Sequence, residues 1–267
     1  MSARRAPRWL RVLGALGRVN AAEELQYRAN FVASGLGTLF ALGTALLTLL
    51  LFFRHTVRLG GWGFWEVVVL LGVFTSLSGV VEAVLRPGIG QLAEEVRSGE
   101  LDLVLARPVD AQAFVSFRRL DLWRLTDVAL GLVVAGYALV RLGRPPAPLA
   151  VVAFLVALAS AGVVVYALWV ALMSLAFWFV AVENISVLFD ALFEGARYPV
   201  TAYPGALRVV FVYLVPIAWT TTVPAAALTG RLGPATALGA AGVGGLALVL
   251  ARLLWRAALR QYTGGGG

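Results

Sequence analysis

The chain of 267 residues contains no cysteine, no lysine and a single histidine, His55. Without cysteine there is no disulfide framework and no thiol chemistry. One histidine with no cysteine cannot assemble a usual zinc ligand set, so no metal site is expected. Without lysine the Gly-x-x-x-x-Gly-Lys loop that cradles nucleotide phosphates is excluded. No Gly-x-Ser-x-Gly elbow with a histidine partner is present either, and no catalytic residue is assigned. Charge is also scarce. Charged residues make up 13% and hydrophobic residues 60%, where soluble domains hold about 25% and about 45–50%. All 22 basic residues are arginine, which fits GC-rich codon usage. The net charge of +8 is better explained by membrane topology than by nucleic-acid binding, and no nucleic-acid partner is expected.

What the chain does have is long apolar runs. The first, Asn30 to Phe53, is 24 residues without a charge. About 20 apolar residues in a helix cover the ~30 Å hydrocarbon layer of a bilayer. Further runs cover Trp65 to Leu85, Leu125 to Val140, Pro148 to Val180, Val209 to Leu228 and Pro234 to Leu254. The expected fold class is therefore an all-α integral membrane protein with six transmembrane helices. Residues 30–263 form one membrane domain, and residues 264–267 read as a flexible tail. With these six spans, 17 arginines fall on one side and 5 on the other. The positive-inside rule then puts both termini in the cytoplasm. The first run is too long for the about 7–15-residue core of a signal peptide, and Arg54-His55 follows it in place of small residues.

Three polar segments are expected on the cytoplasmic side. Residues 1–29 carry Trp9, Leu10, Leu13, Leu16 and Leu25 among arginines, a pattern for an interfacial amphipathic helix. At residues 86–124 the second span continues past Pro87 as a short amphipathic helix, with Leu85, Ile89, Leu92 and Val96 at helical spacing and Gly99 as a stop. There Asp110 can cap a second helix whose apolar face holds Ala113, Phe114, Phe117 and Leu120. Two amphipathic pieces at a membrane surface need a cover. The membrane, the bases of the chain's own spans and a docked cytoplasmic partner all satisfy that need. The third segment, Glu183 to Arg208, reads as helical around Ile185, Leu188 and Leu192 before Tyr198-Pro199 and Tyr203-Pro204 break it. In the expected fifth span, Pro216 and Pro224 flank Thr220, Thr221 and Thr222. These threonines read as partners for freed carbonyls at a kink, or as a hydroxylated patch on a substrate path. Glu66, Glu82 and Asp127 fall near span ends, and no ionisable group is expected near the midplane.

The string Arg97-Ser98-Gly99-Glu100-Leu101-Asp102-Leu103-Val104-Leu105-Ala106-Arg107-Pro108-Val109-Asp110 resembles the loop after the second span in permease subunits of ABC-2 type exporters. Glu194-Gly195-Ala196-Arg197-Tyr198-Pro199-Val200, Tyr203-Pro204 and Thr221-Thr222-Val223-Pro224-Ala225 are similar to the second half of one branch of that family. Ala111 departs from a proline often found after that aspartate. The resemblance implies a permease that forms half of a translocation pathway in the bacterial inner membrane. It implies a second permease, identical or homologous, and a separate ATP-binding subunit that holds ATP and Mg. No cofactor is then expected in this chain, which is not itself an enzyme. The loop 86–124 would supply a coupling helix, with Glu100, Asp102, Arg107, Asp110, Phe114 and Phe117 as its contacts. A secondary ion-coupled carrier and a non-transporting anchor or assembly subunit are the alternatives.

Overall fold

The structure is a computed structural model that describes residues 28–178 and 185–262. The expected interfacial helix before residue 28, the start of the third polar segment at Glu183 and the terminal glycines lie outside these residues.

The described residues are almost entirely helical. Helix α1 spans Arg28–His55, and α2 spans Phe64–Val80. A π turn, Val81–Leu85, carries α2 onward through Pro87 to α3, Leu92–Ser98. Short surface helices α4, Leu101–Leu105, and α5, Ala111–Phe117, follow. Then come α6, Leu125–Leu142, α7, Pro148–Ser174, and α8, Ile185–Glu194. A bent pair, α9 (Gly205–Val209) and α10 (Thr222–Leu228), precedes the last helix α11, Pro234–Gln261. Among the described residues, five stretches are long and apolar enough to cross a bilayer. They are Gly35–His55, Phe64–Ser98, Leu122–Leu142, Pro148–Phe177 and Ala235–Gln261.

One of these five is central. In the stretch Phe64–Ser98, 78% of the apolar window is buried by protein, against 17–22% in the other four. The other spans are apolar on their uncovered faces too; Phe40, Leu51, Val133 and Leu246 all point away from the protein. A helix that is apolar on every side and half uncovered has lipid as its solvent.

Small residues set the closest seam. A methyl placed on Gly72 of α2 would sit 2.5 Å from the Gly131 carbonyl of α6, and one on Gly131 would meet the Ser76 amide at 2.5 Å. Ser76 also donates to the Val128 carbonyl across the seam at 3.1 Å. Lipid tails are as apolar as leucine, so helices associate in membranes through such close van der Waals fit and interhelical bonds.

The fifth span differs from the sequence expectation. Gly205–Leu214 and Ile217–Leu228 are bent by 73° against each other, the geometry of a broken span or a re-entrant loop, and the contacts at the two ends of the pair decide between them. Thr201, just before the pair, donates to the carbonyl of Gly60, in the loop between α1 and α2. Arg231, just after it, pairs with Glu66 at 2.7 Å and reaches the Gly61 carbonyl at 2.8 Å. Both ends of the pair therefore lie on the Gly60 side, and the pair is a re-entrant hairpin. The crossing is made by residues 185–202. Asp190 pairs with Arg86 at the far end of α2 (2.6 Å), Phe193 stacks on Phe74 midway, and Tyr198 packs edge-on against Phe52. Hydropathy pointed at the hairpin because it is the more apolar of the two pieces. The true crossing carries Asp190, Glu194 and Arg197 and read as a surface segment.

Two measurements check this architecture. Cysteines introduced as Pro204→Cys and Val57→Cys should label from the same side of the membrane, with Ser98→Cys labelling from the other. Opposite-side labelling of Pro204→Cys and Val57→Cys would restore Val209 to Leu228 as the span. Gly131→Ala should cost about 1–3 kcal/mol, the usual range for overpacking, read as a lowered thermal unfolding midpoint in detergent. Gly136→Ala, at an uncovered position where a methyl meets nothing within 4 Å, should cost far less.

Candidate functional site

Two features stand out, and α2 connects them. The first is the surface segment after α2. Pro87 has no N–H, so it cannot bond the carbonyl of Ala83 four residues earlier. That carbonyl accepts instead from the Asp121 amide at 2.8 Å, which ties the far end of the segment back to α2. At Gly88 an added methyl would lie 2.6 Å from the Ser116 carbonyl, so α5 rests directly on the backbone there. The cover left open by the sequence is thus largely the chain's own spans: Ile89, Leu92, Leu101 and Val115 are fully enclosed. Glu95 and Arg118 form a buried ion pair between α3 and the end of α5. Such a pair is costly to break, because removing one partner strands the other charge.

Each predicted contact residue of the segment has a definite place. Glu100, at the N-cap of α4, and Asp102, in its first turn, are on the surface. The guanidinium of Arg107 lies 4.8 Å above the Phe114 ring. Asp110 caps α5 by accepting from the Ala113 amide at 3.0 Å, and it forms an ion pair with Arg252 of α11. Phe117 stacks on Tyr166 of α7, with ring centres 5.8 Å apart. Arg252 also donates to the Gln112 side chain at 2.7 Å. The Gln112 amide nitrogen and the Ser116 hydroxyl each lie 3.1 Å from the Tyr166 hydroxyl. Helix α5 is therefore joined to α2, α7 and α11 together. The Asp110 carboxyl is held below the usual carboxylate range, chiefly by the Arg252 hydrogen bond and also by the α5 amides.

The second feature is a cavity of about 370 Å³ between α1, α2 and α8. Thr38, Ala41, Leu42 and Ala45 form its α1 wall. The α2 wall runs from Leu71 and Phe74 through Ser78 to Glu82 and Arg86. Phe189, Asp190, Phe193, Glu194 and Arg197 supply the third wall, and Asp127 of α6 the floor. Arg86 bridges Glu82 (2.7 Å) and Asp190 (2.6 Å), tying α2 to α8. Asp127 is buried and accepts from the Thr38 hydroxyl at 2.6 Å. Arg197 stands 5.2 Å over the Phe74 ring, near the middle of α2. Ionisable groups are thus present well inside the bilayer, which corrects the expectation of none.

The sequence matches the family described as ABC-2 family transporter protein over residues 39–266. The chain belongs to the ABC-2 transporter family. No curated protein and no solved structure gives a significant match. The protein is a multi-pass membrane permease of the ABC transporter class, and that family implies a separate ATP-binding partner.

Within this permease the three threonines of the sequence reading are structural partners of backbone. Thr220 donates to the Ile217 carbonyl at 2.7 Å and Thr221 to the Ala196 carbonyl at 2.6 Å. The Thr222 hydroxyl accepts from the Val200 amide at 3.1 Å. All three are buried and none lines the cavity; Thr221 and Thr222 fasten the re-entrant hairpin to the crossing segment, and Thr220 closes a local turn within the hairpin. Sequence reasoning missed Tyr166, Gln112 and Arg252 as one cluster. Tyr166, a polar tip midway along an apolar helix, was the one visible signal.

The Asp110–Arg252 pair is half exposed, so its own strength is modest, about 0.2–1 kcal/mol. In Arg252→Ala the Gln112 side-chain carbonyl loses its donor as well, and transport per ATP hydrolysed should fall about 1.4- to 5-fold, the same energy range expressed as a ratio. Membrane insertion should be unchanged. A lowered carboxyl pKa stabilises the fold at and above the ordinary aspartate range, and that contribution is lost only as pH falls through the lowered value. The Arg252→Ala effect should accordingly stay constant between about pH 5.5 and 8.

Proposed function

We propose that this permease is the transmembrane subunit of an ATP-binding cassette exporter. It forms half of a translocation pathway with a second permease copy or a homologue. ATP and Mg are bound and hydrolysed in a separate subunit, and this chain has no enzymatic activity of its own. The absence of a P-loop sequence supports that division of labour. Residues 185–202 complete six crossings, with both termini in the cytoplasm of the bacterial inner membrane. After the correction of the fifth crossing, 15 arginines fall on the Ser98 side, 6 on the Gly60 side, and Arg197 lies between. The bias that orients the chain therefore persists.

The observation that carries the reading is the seating of α5. Its inner face is locked to α2, α7 and α11, while the outer edge of the same segment leaves Leu103 and Val109 uncovered. Leu103 is 69% exposed, a large apolar side chain on a polar surface segment. A nucleotide-driven partner that grips Leu103, Arg107 and Val109 would move α5, and α5 would carry three spans with it. Only a differential contact with the two permease states can do this work. Glu100 and Asp102 sit beside Leu103 as the charged rim of the docking surface, and Asp110, Phe114 and Phe117 hold the helix to the spans.

The test is capture of the ATP-binding subunit by the purified permease. Leu103→Asp should reduce capture about ten-fold or more, as for a central apolar anchor, and Arg107→Glu should reduce it less. Phe114→Ala with Phe117→Ala should weaken transport while the chain still inserts. The permease alone should neither bind nor hydrolyse ATP. ATP turnover by the isolated chain, or undiminished capture by Leu103→Asp, would overturn this reading.

A further inference from the structure

We infer that the cavity between α1, α2 and α8 binds an amphipathic organic cation with an aromatic body. This rests on the transport reading above and names the class of compound the pathway accepts.

The first argument is charge. Glu82, Asp127, Asp190 and Glu194 line the cavity with Arg86 and Arg197. Arg124 stands outside the lining, 4.0 Å from Glu82 and 3.7 Å from Asp127, and it is shared with Asp121 at 3.8 Å. The four lining carboxylates face three arginines once Arg124 is included, an excess of one, and Asp121 outside the lining makes a further claim on Arg124. In a site walled by hydrocarbon such an excess is unfavourable unless a cation joins it or the carboxyls take up protons.

The second argument is the aromatic wall. Phe74, Phe193 and Phe189 form a stacked ladder with ring centres 5.3 and 5.4 Å apart. Trp169 packs edge-on behind Phe189 at 4.3 Å. Ring faces attract cations, most strongly where water is thin. The protein demonstrates this preference with its own side chain, since Arg197 lies over Phe74 and pairs with Glu194 at 2.8 Å. The Arg197 Nε meets no hydrogen-bond acceptor, so this guanidinium is only partly satisfied where it stands. An incoming ammonium or iminium group could take its place beside Glu194, with its aromatic body against the ladder.

Size and access agree. The volume of about 370 Å³ lies within the common range of about 300–1,000 Å³ for organic ligands. The carboxylates of Asp190 and Glu194 are about half exposed and reachable from the mouth, whereas Asp127 closes the floor. An anion of equal size would face the carboxylate excess.

The purified permease in phosphatidylcholine nanodiscs can be titrated with ethidium, an aromatic monocation, by fluorescence anisotropy. Saturable binding is expected. Tetraphenylphosphonium should displace the dye, and tetraphenylborate, of matching shape and opposite charge, should not. Glu194→Gln and Asp190→Asn should each weaken binding about ten-fold, as expected for losing one nearby charge at a partly screened site. Glu94→Gln, on the surface of α3, should leave binding unchanged. Equal displacement by both tetraphenyl ions, no saturable binding, or full affinity in the Asp190→Asn/Glu194→Gln double variant that still elutes like the parent would each overturn the proposal. The assay needs no ATP-binding subunit. Intact capture of that subunit without cation preference would therefore sink the cation site alone, and cation binding without capture would sink the transport reading alone.

Discussion

Hydrocarbon offers no hydrogen-bond partner to a peptide group, and the shape of this permease follows from meeting that demand wherever the helices break. Two breaks matter most among the described residues, each at a proline. Pro87 frees the Ala83 carbonyl, and the Asp121 amide reaches across the surface segment to take it. Pro216 frees the Val212 carbonyl, and the Trp219 indole N–H supplies the missing bond at 3.3 Å. The first repair turns α2 into a platform for α4 and α5. The second turns what looks like a span into a hairpin. Pro224, by contrast, lies in the first turn of α10, where its missing N–H removes no helical bond.

The central position of α2 makes those breaks matter mechanically. Glycines at positions 72, 79 and 88 bring α6 and α5 against its backbone, too close for any side chain. In the proposed mechanism a movement of α5 would be passed on by rigid contact along one helix to the wall of the cavity at Glu82 and Arg86. The Tyr166–Gln112–Arg252 cluster extends the same motion to α7 and α11. Close packing of this kind transmits displacement because interiors resist compression.

The charges divide into two kinds. Glu95–Arg118 and Asp110–Arg252 hold the surface segment in place and need only be paired. In the cavity one cation is shared between two carboxylates: Arg86 joins the end of α2 to α8 through Glu82 and Asp190. Any relative movement of α2 and α8 must break or exchange that bridge. Its partners are exposed to the cavity, so the exchange takes place in a polar setting and not in lipid.

Length, composition and hydropathy determined the class: an all-helical membrane protein, four of its crossings within a few residues and the central one recognised in its apolar part; the string from Arg97 to Asp110, together with Arg197-Tyr198-Pro199 and Thr222-Val223-Pro224, pointed to the family. Helix boundaries are local in a bilayer, because an unbroken apolar run satisfies its own backbone. The cap at Asp110 and the stop at Gly99 were legible for the same reason. The fifth crossing was not. An apolar hairpin and an apolar span look identical in one dimension, and a crossing that carries three charges looks like a loop. Only the tertiary structure showed that Asp190, Glu194 and Arg197 face a cavity with Glu82, Arg86 and Asp127. The same holds for Tyr166, Gln112 and Arg252, which lie 54 and 140 residues apart in pairs and meet only because three helices converge. Pairing of distant polar groups depends on which helix faces meet, and that is a property of packing that no local pattern records.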